Sequence, residues 1–209
     1  MTAWRRTVSG YALWLAACGG QGEPLLTSAA RPEDTVVFAV DLWPGEGIPV
    51  IEMQRTLLPL REQPDPGATI VDTLRGGLGQ RVAFDSTRYQ TITAGAIDIL
   101  RPFHLTGREL GAVRRLTLDQ YYQTTPEVSM PLASPATIEF LQYRAEGTCF
   151  VRVEQQVIDA QPCPGLGRET VKVAREPVTR WWVLTRGSAG VQGWLIVSDS
   201  TARAVRREF

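Results

Sequence analysis

Side chains able to do chemistry are scarce in these 209 residues: one histidine, His104, one lysine, Lys172, three cysteines, Cys18, Cys149 and Cys163, and no asparagine. A serine, cysteine or zinc hydrolase needs a base or a metal ligand, and His104 is the sole candidate. It stands in Phe103-His104-Leu105 with no HExxH, GxSxG or second histidine, so it reads as a packed or surface residue without catalytic or ligand role. Two cysteines and a distant histidine fall short of a tetrahedral metal set; neither metal nor cofactor is expected. Asp72, Asp85, Asp98, Glu139 and Glu154 lie on strand-like segments. Strand parity makes them solvent-facing partners of arginine, although two carboxylates at glycosidase separation leave no mark in a sequence. The glycine runs Gly76–Gly79 and Gly165-Leu166-Gly167 lack the lysine and following helix of a phosphate loop and read as turns.

Two constellations remain. Cys149 shares parity with Val151 and Val153 and so points inward, and a turn near Glu154-Gln155 runs the next strand back toward Cys163. That brings the pair within the separation a disulfide spans, and we expect a Cys149–Cys163 bridge rather than two buried thiols. Trp181 and Trp182 are adjacent on one strand, so their rings must face opposite sides; Trp194 lies on the next strand. An outward tryptophan beside Tyr143 would make a shallow aromatic groove suited to an extended peptide. The competing reading has all three tryptophans cementing a small core.

The elements that must position these residues are short strands. From Thr35 onward the apolar residues alternate or form brief runs, broken by turn residues about every ten positions. The clearest strands are Thr35–Val40, Leu57–Arg61, Thr69–Leu74, Arg81–Phe84, Ala96–Leu100, Ile138–Tyr143, Cys149–Val153, Gln156–Asp159, Trp181–Thr185 and Gly193–Val197. Arg203, Arg206 and Arg207 mark a solvated edge strand. The one helix signal is Thr117 to Gln123, with Thr117 and Gln120 as a capping box. The fold class is therefore all-β, in an N-terminal lobe, 35–102, and a C-terminal lobe, 127–209, joined by a polar connector, 103–126. Basic and acidic residues balance at 22 each, which leaves no field to gather phosphates, and nucleic acid is not an expected partner.

The N-terminus carries Arg5 and Arg6, then an apolar stretch that ends in Leu15-Ala16-Ala17-Cys18. The stretch is shorter than the roughly 20 residues that span a bilayer. It resembles the bacterial lipoprotein signal, in which an aliphatic and two small residues precede a cysteine that is acylated and becomes the mature N-terminus. The resemblance implies a signal peptide at 1–17, an acylated Cys18 holding the protein to the lipid bilayer, and a flexible tether at 18–34. It implies a cell-envelope location, on the outer membrane facing the periplasm where the host has two membranes, because Gly19 stands where the inner-membrane retention signal has Asp. Cleavage leaves 20 basic against 22 acidic side chains, net −2, so the lipid alone would hold the protein to the membrane.

A second resemblance is carried by Leu58-Pro59-Leu60-Arg61, then Ile70 to Gly77, and by Trp181-Trp182-Val183-Leu184 followed by Gly193-Trp194-Leu195-Ile196-Val197. These resemble the opening strands and the closing hairpin of bacterial Src-homology-3-like domains. The resemblance implies two small barrels, one per lobe, or one elaborated barrel. With it comes the expectation of a non-enzymatic envelope lipoprotein that binds peptidoglycan or an envelope protein through Trp181, Trp182, Trp194 and Tyr143. Two other classes make distinct demands. An envelope hydrolase using strand carboxylates needs acids converging in a deep pocket, and a structural or assembly lipoprotein needs a large flat apolar patch.

Overall fold

The computed structural model describes residues 36–41, 50–111, 115–116, 125–144, 147–165 and 169–205. The signal peptide, Cys18, the tether and the helix expected at Thr117–Gln123 lie outside the described residues. Six strands precede the turn at Ala94: β1 (Phe38–Val40), β2 (Val50–Met53), β3 (Leu57–Arg61), β4 (Ile70–Arg75), β5 (Arg81–Val82) and β6 (Ser86–Thr93). Eight follow: β7 (Gly95–Ile99), β8 (Phe103–Gly111), β9 (Arg115–Leu116), β10 (Glu127–Leu132), β11 (Ala136–Arg144), β12 (Thr148–Val153), β13 (Gln156–Ala160) and β14 (Val171–Arg175). The last three are β15 (Val178–Arg186), β16 (Gln192–Val197) and β17 (Ala202–Val205). The all-β class holds among the described residues.

The strands form three open sheets, ordered β4-β3-β16-β15-β6-β1-β9, β10-β8-β13-β12-β11-β7-β14 and β17-β2-β5. Among the described residues none closes into a barrel. The second sheet draws only on Gly95 to Arg175, a stretch inserted between β6 and β15, which pair with each other along Ser86–Thr93 and Val178–Leu184. The lobes expected at 35–102 and 127–209 are thus not the units of pairing, and the connector expected at 103–126 begins with a nine-residue strand, β8. Turn spacing marks where strands end, but a long-range antiparallel partner leaves no local mark. The two segments that carry the expected Src-homology-3-like resemblance, more than a hundred residues apart, lie as neighbours β4, β3, β16 and β15 of the first sheet.

Register fixes the faces. Val40, Tyr89, Trp181 and Val197 form one cross-strand row of the first sheet, and Phe38, Thr91 and Thr179 share its inner face. At the β3–β16–β15 end this face packs Leu58, Leu60, Val183 and Leu195 on Ile51, Met53 and Ala202 of the third sheet. At the β6–β1 end Phe38 and Val40 pack on Leu110, Leu141, Phe150 and Val157 of the second. The second sheet buries its other face in a separate core around Ile97, Phe140, Val151 and Ile158. Each such fully buried side chain contributes about 1.5–3 kcal/mol.

Candidate functional site

Of the four aromatic residues expected to bind, Trp181 and Trp182 face opposite sides of the first sheet, as their adjacency on one strand requires. Trp182 is fully buried on the outer face of the first sheet, its Nε1 donating to Gln90 Oε1 at 2.9 Å. Trp194 pairs with Leu184, which shares the parity of Trp182, so it lies on that outer face too. There the Arg88 guanidinium covers its ring at 4.8 Å, with Arg88 itself held by both Asp41 oxygens at 2.5 and 2.8 Å. Trp181 is half-buried on the inner face. It stacks on Tyr89 at 5.6 Å, meets Phe84 edge-on at 6.3 Å and donates to Thr87 Oγ1 at 2.6 Å. Tyr143 belongs to the second sheet.

Trp181 and Tyr143 are linked by a residue that the sequence reading did not single out, Tyr89. Both tyrosines line a cleft of about 260 Å³ at the join of the first and second sheets, together with Gln142, Arg144, Glu176, Pro177 and Thr179. One wall is β6 and β15, the other is the end of β11, and the floor crosses the Glu176-Pro177 link between the inserted sheet and β15. Gly95 makes this link possible. A Cβ there would stand 2.4 Å from the Arg175 carbonyl and 2.7 Å from the Pro177 nitrogen, so only glycine lets the link run so close to β7. The approach sets Glu176 beside Tyr143, whose hydroxyl donates to Glu176 Oε1 at 3.2 Å.

Electrostatics differ along the cleft. Burial raises the Tyr89 phenol well above the ordinary tyrosine range. Tyr143, 40% exposed, is raised by partial burial, then by the Glu176 charge and the hydrogen bond to it. Both rings therefore stay neutral at any physiological pH. Arg144 forms an ion pair with the buried Asp159, which neutralises its charge. Gln142 is 3% exposed and its Oε1 has no hydrogen-bond partner among the described residues. An acceptor of that kind costs about 1–3 kcal/mol until a donor reaches it.

The remaining candidates have structural partners. Asp72 accepts from the amides of Ala189 and Val191, both at 3.1 Å, and caps the β15–β16 turn. Asp85 accepts from Gln192 at 2.7 Å, Asp98 from Thr137 at 2.8 Å, and Glu139 pairs with Arg152 at 2.5 Å. Glu154 occupies the β12–β13 turn at φ 55°. Of the five carboxylates expected to face arginine, Glu139 does so; the others here satisfy amides, a hydroxyl or a turn. Among the described residues no group of three His, Cys, Asp or Glu side chains converges as a metal site. His104 is an exposed residue of β8, with Nδ1 3.4 Å from Ser129 Oγ, and no carboxylate among the described residues is hydrogen-bonded to its ring. Beside it, a polar depression between β8 and β10 has its walls tied together by Thr106 to the Gln161 carbonyl at 2.8 Å and Arg108 to Glu127 at 3.5 Å.

Cys149 and Cys163 are joined by a disulfide, with Cα atoms 5.0 Å apart, both buried in the core of the second sheet. Closing a loop of this length stabilises by about 3 kcal/mol. Compared with known proteins, the chain matches no protein-family profile, no curated protein and no solved structure.

Proposed function

We propose that this chain is a lipid-anchored, non-enzymatic binding protein of the bacterial cell envelope, tethered through acylated Cys18, which takes a peptide of peptidoglycan into the Tyr89–Tyr143 cleft. The observation that carries the reading is the cleft itself: two neutral aromatic rings, an unpartnered amide carbonyl and a carboxylate at the join of two sheets. Apolar walls with a few polar groups are the usual make-up of a site that holds a small segment in one orientation. The Leu15–Cys18 signal supports an exported protein, and the Cys149–Cys163 bridge is in keeping with an oxidising compartment. The Src-homology-3-like resemblance enters here as well. The motif strands β3, β4, β15 and β16 enclose one core with β2 and β17, which we read as a diverged, opened small barrel carrying the second sheet as an insertion.

The test is retention of the detergent-solubilised full chain on purified cell wall. Aromatic anchors carry a large share of interface energy, so Tyr143→Ala should weaken retention about tenfold or more, by the same reasoning. Leu78→Ser, at an exposed position that does not line the cleft, should leave it unchanged. Equal retention of wild type and Tyr143→Ala overturns the reading. Capture of an envelope protein without any cell-wall retention moves the partner from peptidoglycan to protein.

A further inference from the structure

Resting on the reading of the cleft as a peptide site, we propose that the group it recognises is a primary ammonium carried on that peptide. The lining has more acceptors than donors. Arg144 is the one cation among the described residues that line it, and Asp159 already neutralises that charge. The Glu176 carboxylate is left as the net charge of the wall, with the neutral Tyr143 phenol as its hydrogen-bond partner among the described residues. Gln142, in the same lining, has a buried Oε1 without a hydrogen-bond partner among the described residues, a second acceptor that a ligand reaches only as the side chain turns toward the cleft. The rings of Tyr89 and Tyr143 line the same cleft, and an aromatic face attracts a cation through its quadrupole.

An anion finds nothing comparable. It would meet Glu176 as a like charge and would have to take Arg144 from a buried carboxylate. A neutral acyl group would bring no donor to Gln142 Oε1 and no charge to Glu176, which would keep only the Tyr143 hydroxyl. An ammonium supplies three N–H donors on a compact charge, which suits single acceptor atoms rather than a planar pair. On a cell-wall peptide that group is the side-chain amine of a diamino acid; on a protein it is a lysine. The chemistry is shared, and the experiment separates the sources.

Fluorescence anisotropy of the full chain in detergent would use a labelled Ala-Lys-Ala peptide blocked at both ends and its Nε-acetyl counterpart. The amine peptide should bind at least about tenfold more tightly, because acetylation removes the charge and two of the donors. Glu176→Gln keeps an oxygen for the Tyr143 hydroxyl and removes the charge; it should bring the two peptides to within about twofold while thermal unfolding is unchanged. Equal binding of the two peptides, no binding of either, or an undiminished preference in Glu176→Gln overturns the inference. Cell wall with its free amines acetylated distinguishes this failure from failure of the broader reading. Retention that survives acetylation keeps the cell-wall peptide and discards the ammonium. Amine-selective peptide binding without cell-wall retention keeps the ammonium and assigns it to a protein lysine.

Discussion

Replacing Trp182 and its neighbour Trp181 one at a time separates packing from exposure within a single dipeptide. Trp182 is fully buried, and truncating a buried tryptophan to alanine costs about 3–5 kcal/mol. The same change removes the donor to Gln90 Oε1, on a side chain that is only 7% exposed, and a buried acceptor left alone adds about 1–3 kcal/mol. Trp182→Ala should therefore lose about 4–8 kcal/mol, a large part of the stability of a domain of this size. Trp182→Phe keeps most of the ring and should lose about 2 kcal/mol, chiefly the hydrogen bond. Trp181 differs in two respects. It is half-buried, and the Thr87 hydroxyl that accepts from it still donates to the Trp182 carbonyl at 3.3 Å, so that hydroxyl is not left without a hydrogen bond. Loss of the Tyr89 stack, about 0.5–1.5 kcal/mol, and of partial burial puts Trp181→Ala near 2–3 kcal/mol, roughly half the cost of its neighbour. Urea unfolding of the full chain with unchanged m-values measures both. A Trp181→Ala loss as large as that of Trp182→Ala would refute the assignment of faces.

Three further outcomes are expected. Because burial raises the folded-state pKa of Tyr89, its contribution to stability is whole below the unfolded value near 10 and is lost as pH rises from there toward the folded value, by up to about 1.4 kcal/mol per pH unit; Tyr89→Phe should show a shallower loss in unfolding curves between pH 9 and pH 11, roughly by that amount. Cys149→Ser with Cys163→Ser should lower stability by about 3 kcal/mol without changing the far-ultraviolet signature of the strands, and reduction of the wild type should reproduce the loss. Labelling with a fatty-acid analogue should mark the wild type and not Cys18→Ser; equal labelling of the two would end the lipoprotein claim.

Period-two patterning was a good guide where a strand has one apolar face. Leu57–Arg61 coincides with β3, and the inward parity of Cys149 led to its bridge with Cys163. It failed at β6, which lies between β15 and β1 in the first sheet yet reads Ser-Thr-Arg-Tyr-Gln-Thr-Ile-Thr. That strand buries polar side chains because each has a partner: Thr91 donates to the Leu141 carbonyl at 2.7 Å, and Gln90 accepts from Trp182 and donates to the Pro64 carbonyl at 2.8 Å. The alternation Thr87-Tyr89-Thr91 was the signal available, since β-branched and aromatic residues at i and i+2 suit one face of a sheet. β8 was hidden by its polar composition and by Gly107, where a Cβ would stand 2.2 Å from the Asp159 carbonyl. The cleft was half legible. Tyr143 was named, but its partners Tyr89 and Glu176 reach it only through the pairing of β6 with β15 across an 81-residue insertion, Gly95 to Arg175, and no local pattern encodes that.

The claim that the cleft is the recognition surface is tested most directly by hydrogen–deuterium exchange of the full chain with and without soluble disaccharide-peptides released from purified cell wall. Added ligand should slow exchange in peptides covering Gln142–Arg144 and Glu176–Thr179 and leave the β8–β10 ladder, Phe103–Arg108 with Glu127–Leu132, unchanged. Protection confined to that ladder, or to the Arg88–Trp194 face, would contradict it, as would exchange that ligand leaves the same throughout.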